Sequence, residues 1–184
     1  VVSAFAYCDA LTSLSLPDGL TSLGSFTFQD CPKLTEMTIP SGITTIPEYL
    51  FYRCTSLSSV TLPSGITSIG NFAFSGCSQL TAITLPSGLT TIGKDAFSAS
   101  GLAQIDLPAS VLTIGDGAFS SCNNLVAFYL NEGCTTIGAG MLSGDNLRIV
   151  YMSSTLTTIN DQYVVRPAFG GKAGLEIHMK TETP

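Results

Sequence analysis

The sequence predicts a solenoid, a stack of short coils joined by parallel β-strands, and three observations predict it. One pattern recurs along most of the chain: Leu11, Leu34, Leu57, Leu80, Leu102, Leu125 and Leu147 stand 23, 23, 23, 22, 23 and 22 residues apart and open the same run each time. Inside every unit, apolar residues alternate at strand spacing. Proline and glycine then punctuate the chain at a fixed offset. Self-similarity at this period marks units that cannot bury their apolar faces alone and stack to do so.

The first element of each unit is a strand. Its two apolar columns are Leu14, Met37, Val60, Ile83, Ile105, Phe128, Val150 and Leu16, Ile39, Leu62, Leu85, Leu107, Leu130, Met152. Residues two apart lie on one face of a strand. The pairs Pro17/Gly19, Pro40/Gly42, Pro63/Gly65 and Pro86/Gly88 end it, because proline cannot donate to a ladder and glycine tolerates turn angles. A second short extended piece follows, as at Ile66 to Ile69, closing on the column Leu23, Ile46, Ile69, Ile92, Ile114, Ile137, Ile159. The segment Gly70 to Cys77 then sets Ala73, Phe74 and Cys77 at i, i+1, i+4, a spacing that predicts one short helical turn. Phe28, Phe51, Phe74, Phe97, Phe119 and Leu142 form the last column. Burying one side chain stabilises by ~1.5–3 kcal/mol, whereas ordering one residue costs about 1.5 kcal/mol. A single unit, which buries only a minority of its residues, therefore cannot fold alone.

The predicted architecture is a leucine-rich-repeat solenoid of about eight units of 22–23 residues, the last one longer. Parallel strands form its concave face; short second strands and helical turns form the other side. One domain spans 1–184: a partial first unit at 1–10, regular repeats at 11–159, and an irregular C-terminal unit or cap at 160–184. Phe5 and Cys8 take the Phe and Cys places of that partial unit. Its missing strand predicts either a further N-terminal extension or end-to-end self-association at an uncovered edge. At the other end, Ile177 and Met179 align with Val150 and Met152 at a step of 27, Phe169 falls in the Phe column, and Leu175 to Met179 reads as a terminal strand.

The run Gly70 to Cys77 followed by Leu80 to Pro86 resembles the BspA-like class of bacterial leucine-rich repeats. That class is marked by Ile-Gly-x-x-Ala-Phe-x-x-Cys and then Leu-x-x-Ile-x-Leu-Pro, and the resemblance covers Val1 to Met152. It implies a secreted or surface-attached, extracellular protein of an anaerobic or host-associated bacterium. It also implies an adhesin-like role toward host matrix proteins, glycans or another cell surface.

Composition narrows the function classes. Charged residues are 11%, with seven Lys+Arg, thirteen Asp+Glu and a net charge of −6; nucleic acid needs a basic stripe that these residues do not supply. No apolar run approaches the ~18 residues of a membrane span. Cys8, Cys31, Cys54 and Cys77 repeat every 23 residues and Cys122 lies 45 further on, with Ser100 at the skipped place. This is one structural column, and Cβ atoms stacked a strand apart exceed the ~3.8 Å that a disulfide prefers. Cys134 falls in the apolar column of Leu20, Ile43, Ile66, Leu89 and Val111. The cysteines are therefore expected as free, buried thiols, without zinc-type spacing. Gly88 to Asp95 approaches the phosphate-binding loop pattern but puts a carboxylate where a hydroxyl is needed, and both glycines are repeat positions. His178, the only histidine, is expected to face solvent from the terminal strand. Asp106, Asp116 and Glu132 share no column. Neither an enzyme constellation nor a cofactor is implied.

What varies is the outward surface. The strand positions Ser15, Thr38, Thr61, Thr84, Asp106, Tyr129, Tyr151 and Ser13, Glu36, Ser59, Ala82, Gln104, Ala127, Ile149 lie between core columns. Threonine there is explained by β-propensity alone. The change to Gln104, Asp106, Tyr129, Arg148, Ile149 and Tyr151 is not, since aromatics beside polar groups suit an interface centre. Those six form the candidate binding surface, with Tyr129 and Tyr151 expected to make an aromatic platform. Phe26, Tyr49, Phe72 and nearby Tyr52 form a second candidate on the opposite side, where mutual stacking is the simpler explanation. A structural spacer without a ligand of its own is the alternative function.

Overall fold

The computed structural model describes residues 2–144 and 146–158 and the backbone of 159 and 176–179. The rest of the expected cap, including Phe169 and Leu175, lies outside the described residues, as does the side chain of His178.

A nearly constant number of residues per coil places each residue over its counterpart in the next, so parallel pairing follows from the period. The wider strands are β1 (Glu36–Thr38), β3 (Ser59–Thr61), β6 (Gln104–Leu107), β8 (Ala127–Leu130), β10 (Ile149–Met152) and β12 (Glu176–Met179). They form a β1–β3 pair and a sheet in the order β6, β8, β10, β12. The narrower strands are two residues each: β2 (Thr45–Ile46), β4 (Ser68–Ile69), β5 (Thr91–Ile92), β7 (Thr113–Ile114), β9 (Thr136–Ile137) and β11 (Thr158–Ile159). They make one six-stranded parallel sheet in that order. Alternation decides their faces: Met37, Val60, Ile105 and Leu107 are buried while Glu36, Thr38, Ser59, Thr61, Gln104 and Asp106 are exposed. The terminal strand pairs Val150 with Ile177 and Met152 with Met179, the register that the 27-residue step requires.

Two sequence expectations need correction. Among the described residues there is no helix. In Gly70 to Cys77 the N–H groups of Phe72, Phe74 and Gly76 donate across to Lys94, Ala96 and Ser98 at 2.7–2.9 Å, while those of Ala73, Ser75 and Cys77 donate back to Gly70, Phe72 and Phe74. A helix sends every N–H along its own axis; here alternate ones turn to the neighbouring coil. Left-handed backbone at Phe72 (φ 56°) and Gly76 (φ 78°) produces the alternation. The second correction concerns Leu11 to Leu16 and Leu80 to Leu85, which form no strand. Ile83 and Leu85 are half-buried, and depressions of about 420 and 470 Å³ flank this coil. It stands away from both neighbours where the period first drops from 23 to 22.

The core runs the length of the stack. Phe5, Phe28, Phe51, Phe74, Phe97 and Phe119 stack with centroids 5.1–5.6 Å apart, and Phe128 closes the series edge-on. Beside them the Sγ atoms of Cys31, Cys54, Cys77 and Cys122 donate to the carbonyls of Phe5, Phe28, Phe51 and Phe97 at 3.0–3.2 Å. Each thiol thus satisfies a carbonyl of the preceding coil. At the skipped place Ser100 Oγ meets Cys122 Sγ at 3.3 Å. Burial pushes these four thiols up from their ordinary pKa, Cys54 to about 12, which keeps them protonated and unreactive. Cys134 is fully buried among the apolar columns. The Ile-Gly step is a close coil-to-coil approach: a Cβ on Gly93 would sit 2.7 Å from the Asn71 backbone nitrogen.

Candidate functional site

The wide strands β6, β8 and β10 position the first candidate surface. Ile105, Leu107, Phe128, Leu130, Val150 and Met152 point into the core and are buried. Their neighbours Gln104, Asp106, Tyr129, Ile149 and Tyr151 therefore point outward. Register sorts them into two rows across the sheet: Gln104, Ala127, Ile149, and Asp106, Tyr129, Tyr151. The backbone of His178 extends the second row.

Tyr129 and Tyr151 stack on each other, with centroids 5.1 Å apart and planes 12° from parallel. That separation is close to the ~4.8 Å between paired strands, so each ring stands over its own strand and the two stack across the pair. The pair differs from a flat platform. One face of Tyr129 is spent on Tyr151, and the other looks toward the shorter Asp106 on β6.

Asn131 completes this arrangement and was not singled out by the sequence. Its Nδ2 donates to Asp106 Oδ1 at 3.1 Å and to the Leu107 carbonyl at 2.5 Å. The signal was available: Pro17, Pro40, Pro63, Pro86 and Pro108 fill this place in earlier coils, and the column changes to Asn131 and then Ser153. A shallow depression of about 420 Å³ lies beside the row, lined by Ala82, Thr84, Gln104, Asp106 and Asn131 among others, with no lysine or arginine. A similar one of about 450 Å³ lies farther along the same face and carries Asp18 and Glu36.

Arg148 stands apart from the rows. It precedes β10 by one residue, is exposed, and turns Nη1 back to the Leu147 carbonyl at 3.3 Å. It sits at the rim. The other carboxylates singled out by the sequence hold backbone: Asp116 Oδ1 accepts from the Ala139 N–H at 2.7 Å, and Glu132 accepts from the Ser154 N–H and both Ser153 and Ser154 hydroxyls at 3.0–3.1 Å. Those donors, the Ser154 N–H first, lower the Glu132 carboxyl below its ordinary value. Among the described residues no cluster of three His, Cys, Asp or Glu side chains is placed to hold a metal ion. No helix there is long and apolar enough to cross a membrane.

The second candidate is a half-buried ridge on the turn side. Phe26, Tyr49 and Phe72 stack at 4.7 and 4.8 Å, and Tyr52 meets Tyr49 and Phe72 edge-on at 5.4 and 6.4 Å. Next to it Arg53 pairs with Asp30 at 3.3 Å. The rings are engaged mainly with one another.

Comparison with known proteins gives one family match. The profile of the BspA type leucine rich repeat region fits in six copies, over residues 2–70 and 44–165. The chain is similar to a leucine-rich repeat protein of Bacteroides ovatus, at 32% identity and a TM-score of 0.65, over 77% of this chain and 41% of that one. It thus spans less than half the length of that protein. It is also similar to the T. pallidum leucine rich repeat protein, at 28% identity and TM-score 0.60, over 90% of this chain and 85% of that one. A leucine rich cell surface protein of Faecalibacterium prausnitzii is 25% identical with TM-score 0.56, over 87% of this chain and 58% of that one. No curated protein matches.

Proposed function

The chain belongs to the BspA type of leucine-rich-repeat proteins, and from that premise we propose that it is an adhesin-like binding module of the cell surface or its surroundings. It recognises a protein or glycan through the wide-strand face, toward the C-terminal half. One observation carries this. The Ser and Thr of the outward columns end after Thr84, and Asp106, Tyr129 and Tyr151 follow in one row on three paired strands. Core columns are fixed by packing on identical neighbours, so recognition can vary only at such outward positions. The Faecalibacterium prausnitzii protein, described as a cell surface protein, supports the location.

The test is a binding screen of the natural chain against matrix proteins, glycans and host cells. Replacing Tyr129 and Tyr151 together by alanine should weaken capture by about 2 kcal/mol or more, as loss of interface aromatics does, without unfolding the chain. Replacing Thr38 and Thr61 should change little. Equal losses from both pairs would move the site to Phe26, Tyr49 and Phe72. No loss from either, with no ligand found, would favour the spacer.

A further inference from the structure

We propose that the segment Ala82 to Leu85 is a gap that closes, joining the two wide-strand sheets into one. In the closed form it pairs with β3 along one edge and with β6 along the other, and the narrow sheet is the pivot. The closure does not depend on what the face binds.

The local sequence asks for a strand here. Thr81 to Leu85 has no glycine or proline and alternates Ile83 and Leu85 with Ala82 and Thr84, the pattern of a half-buried strand. The equivalent residues on either side form β3 (Ser59–Thr61) and β6 (Gln104–Leu107). Yet 82–85 takes no strand pairing, and Ile83 and Leu85 are half-buried where Ile105 and Leu107 are buried.

The same coil is held firmly elsewhere. The Ala103 N–H donates to the Thr81 carbonyl at 3.1 Å. Past the turn, the Thr90 N–H donates to the Thr67 carbonyl at 2.8 Å, and the Thr90 carbonyl accepts from Leu112 at 2.9 Å. Strands β4, β5 and β7 pair through this coil without a break. Only its wide-strand side is open, with depressions of about 470 Å³ toward β3 and 420 Å³ toward β6. One side bonded and the other open is the geometry of a hinge.

The repeat gives the bonds that closure forms. The Ser59 N–H donates to the Thr35 carbonyl at 3.3 Å, and the Ile39 N–H to the Thr61 carbonyl at 3.0 Å. In the same columns, Ala82 is matched with the Ser58 carbonyl and Leu85 with the Asp106 carbonyl; neither bond is made in this structure. Closing satisfies both donors and covers Ile83 and Leu85. Bending the stack to draw β3 and β6 together is what opposes it.

Relaxation-dispersion NMR and amide hydrogen exchange on the natural chain test this, with the amide of exposed Ser87 as reference. Ala82 and Leu85 should share one exchange process, their amide protons moving downfield in a minor form populated to about 1% or more. If the closed form is instead the majority, both amides should exchange at least about tenfold more slowly than Ser87. Ala82→Pro removes the donor to β3, so the process or protection at Leu85, on the opposite edge, should fall about threefold or more. Ala82→Ser keeps that N–H and should leave Leu85 unchanged. The natural-chain readings decide whether or not the proline variant folds. Leu85 with neither a minor form nor protection would overturn the proposal. So would unrelated rates at Ala82 and Leu85, a Leu85 process indifferent to Ala82→Pro, or equal losses from the proline and serine variants.

Discussion

Phe26, Tyr49 and Phe72 hold backbone angles that usually belong to glycine, with φ of 62°, 56° and 56°. The following coils place Asp95, Gly117 and Gly140 there, so the fold itself does not ask for aromatics. A bulky residue in the left-handed region costs on the order of 1 kcal/mol or more. The stacking of the three rings offsets it, each pair contributing about 0.5–1.5 kcal/mol beyond burial. This gives a test in which the ordinary ranking reverses. Tyr49→Ala keeps the strain and loses both stacks, whereas Tyr49→Gly loses the stacks and relieves the strain. Denaturant melts should show the glycine variant more stable than the alanine variant by about 1 kcal/mol. The reverse order would mean that Tyr49 is not strained.

At the scale of elements, the rim after the wide strands changes chemistry where the proline column ends. Asn131 and Ser153 replace ring atoms with hydrogen bonds, and Glu132 gathers three donors from the next coil. Its carboxyl titrates lower in the folded chain than in the unfolded one, so the unfolded chain binds the proton first as pH falls. The stability it adds is present above the unfolded value, 4.5, and disappears as pH drops through the lower folded value. Thermal melts should therefore separate the natural chain from Glu132→Gln at about pH 6 and bring them together near about pH 2. A gap that stays constant across this range would remove the carboxylate from the account. Much of this scale was legible in the sequence. The columns fix the register of the paired strands, because equal periods put like over like, but not the breaks at Leu11 to Leu16 and Leu80 to Leu85. The turn side was not, since Ala73, Phe74 and Cys77 share an inward face whether the segment is a helix or alternating turns; only the direction of each N–H distinguishes them. Asp106, Tyr129 and Tyr151 were legible as neighbours, but the near-parallel ring planes and the role of Asn131 depend on side-chain geometry that spacing does not carry.

Across the whole molecule, the same bonds repeat from coil to coil. All three sheets are parallel with strands paired one coil to the next, and the turn side adds three cross-coil bonds per step, as from Phe72, Phe74 and Gly76 to Lys94, Ala96 and Ser98. Stability is then a sum over interfaces between neighbours. The coil at Leu80 to Leu85, flanked by depressions on both sides, interrupts the strand pairing on the wide-strand face. That arrangement has a mechanical meaning. Cross-coil hydrogen bonds point along the stack, so tension on the two ends loads the interfaces in series and peels them one at a time, never shearing a whole sheet at once. Each coil of 22–23 residues that comes free lengthens the chain by roughly 75–80 Å at the ~3.4 Å per residue of extended backbone. Single-molecule pulling should give a train of small, even steps of that length at low force, where a shear-loaded domain gives one high peak. A bound molecule on the wide-strand face would ride on a tether that pays out and takes up length as it is tugged, keeping its grip through fluctuations that would snap a rigid post.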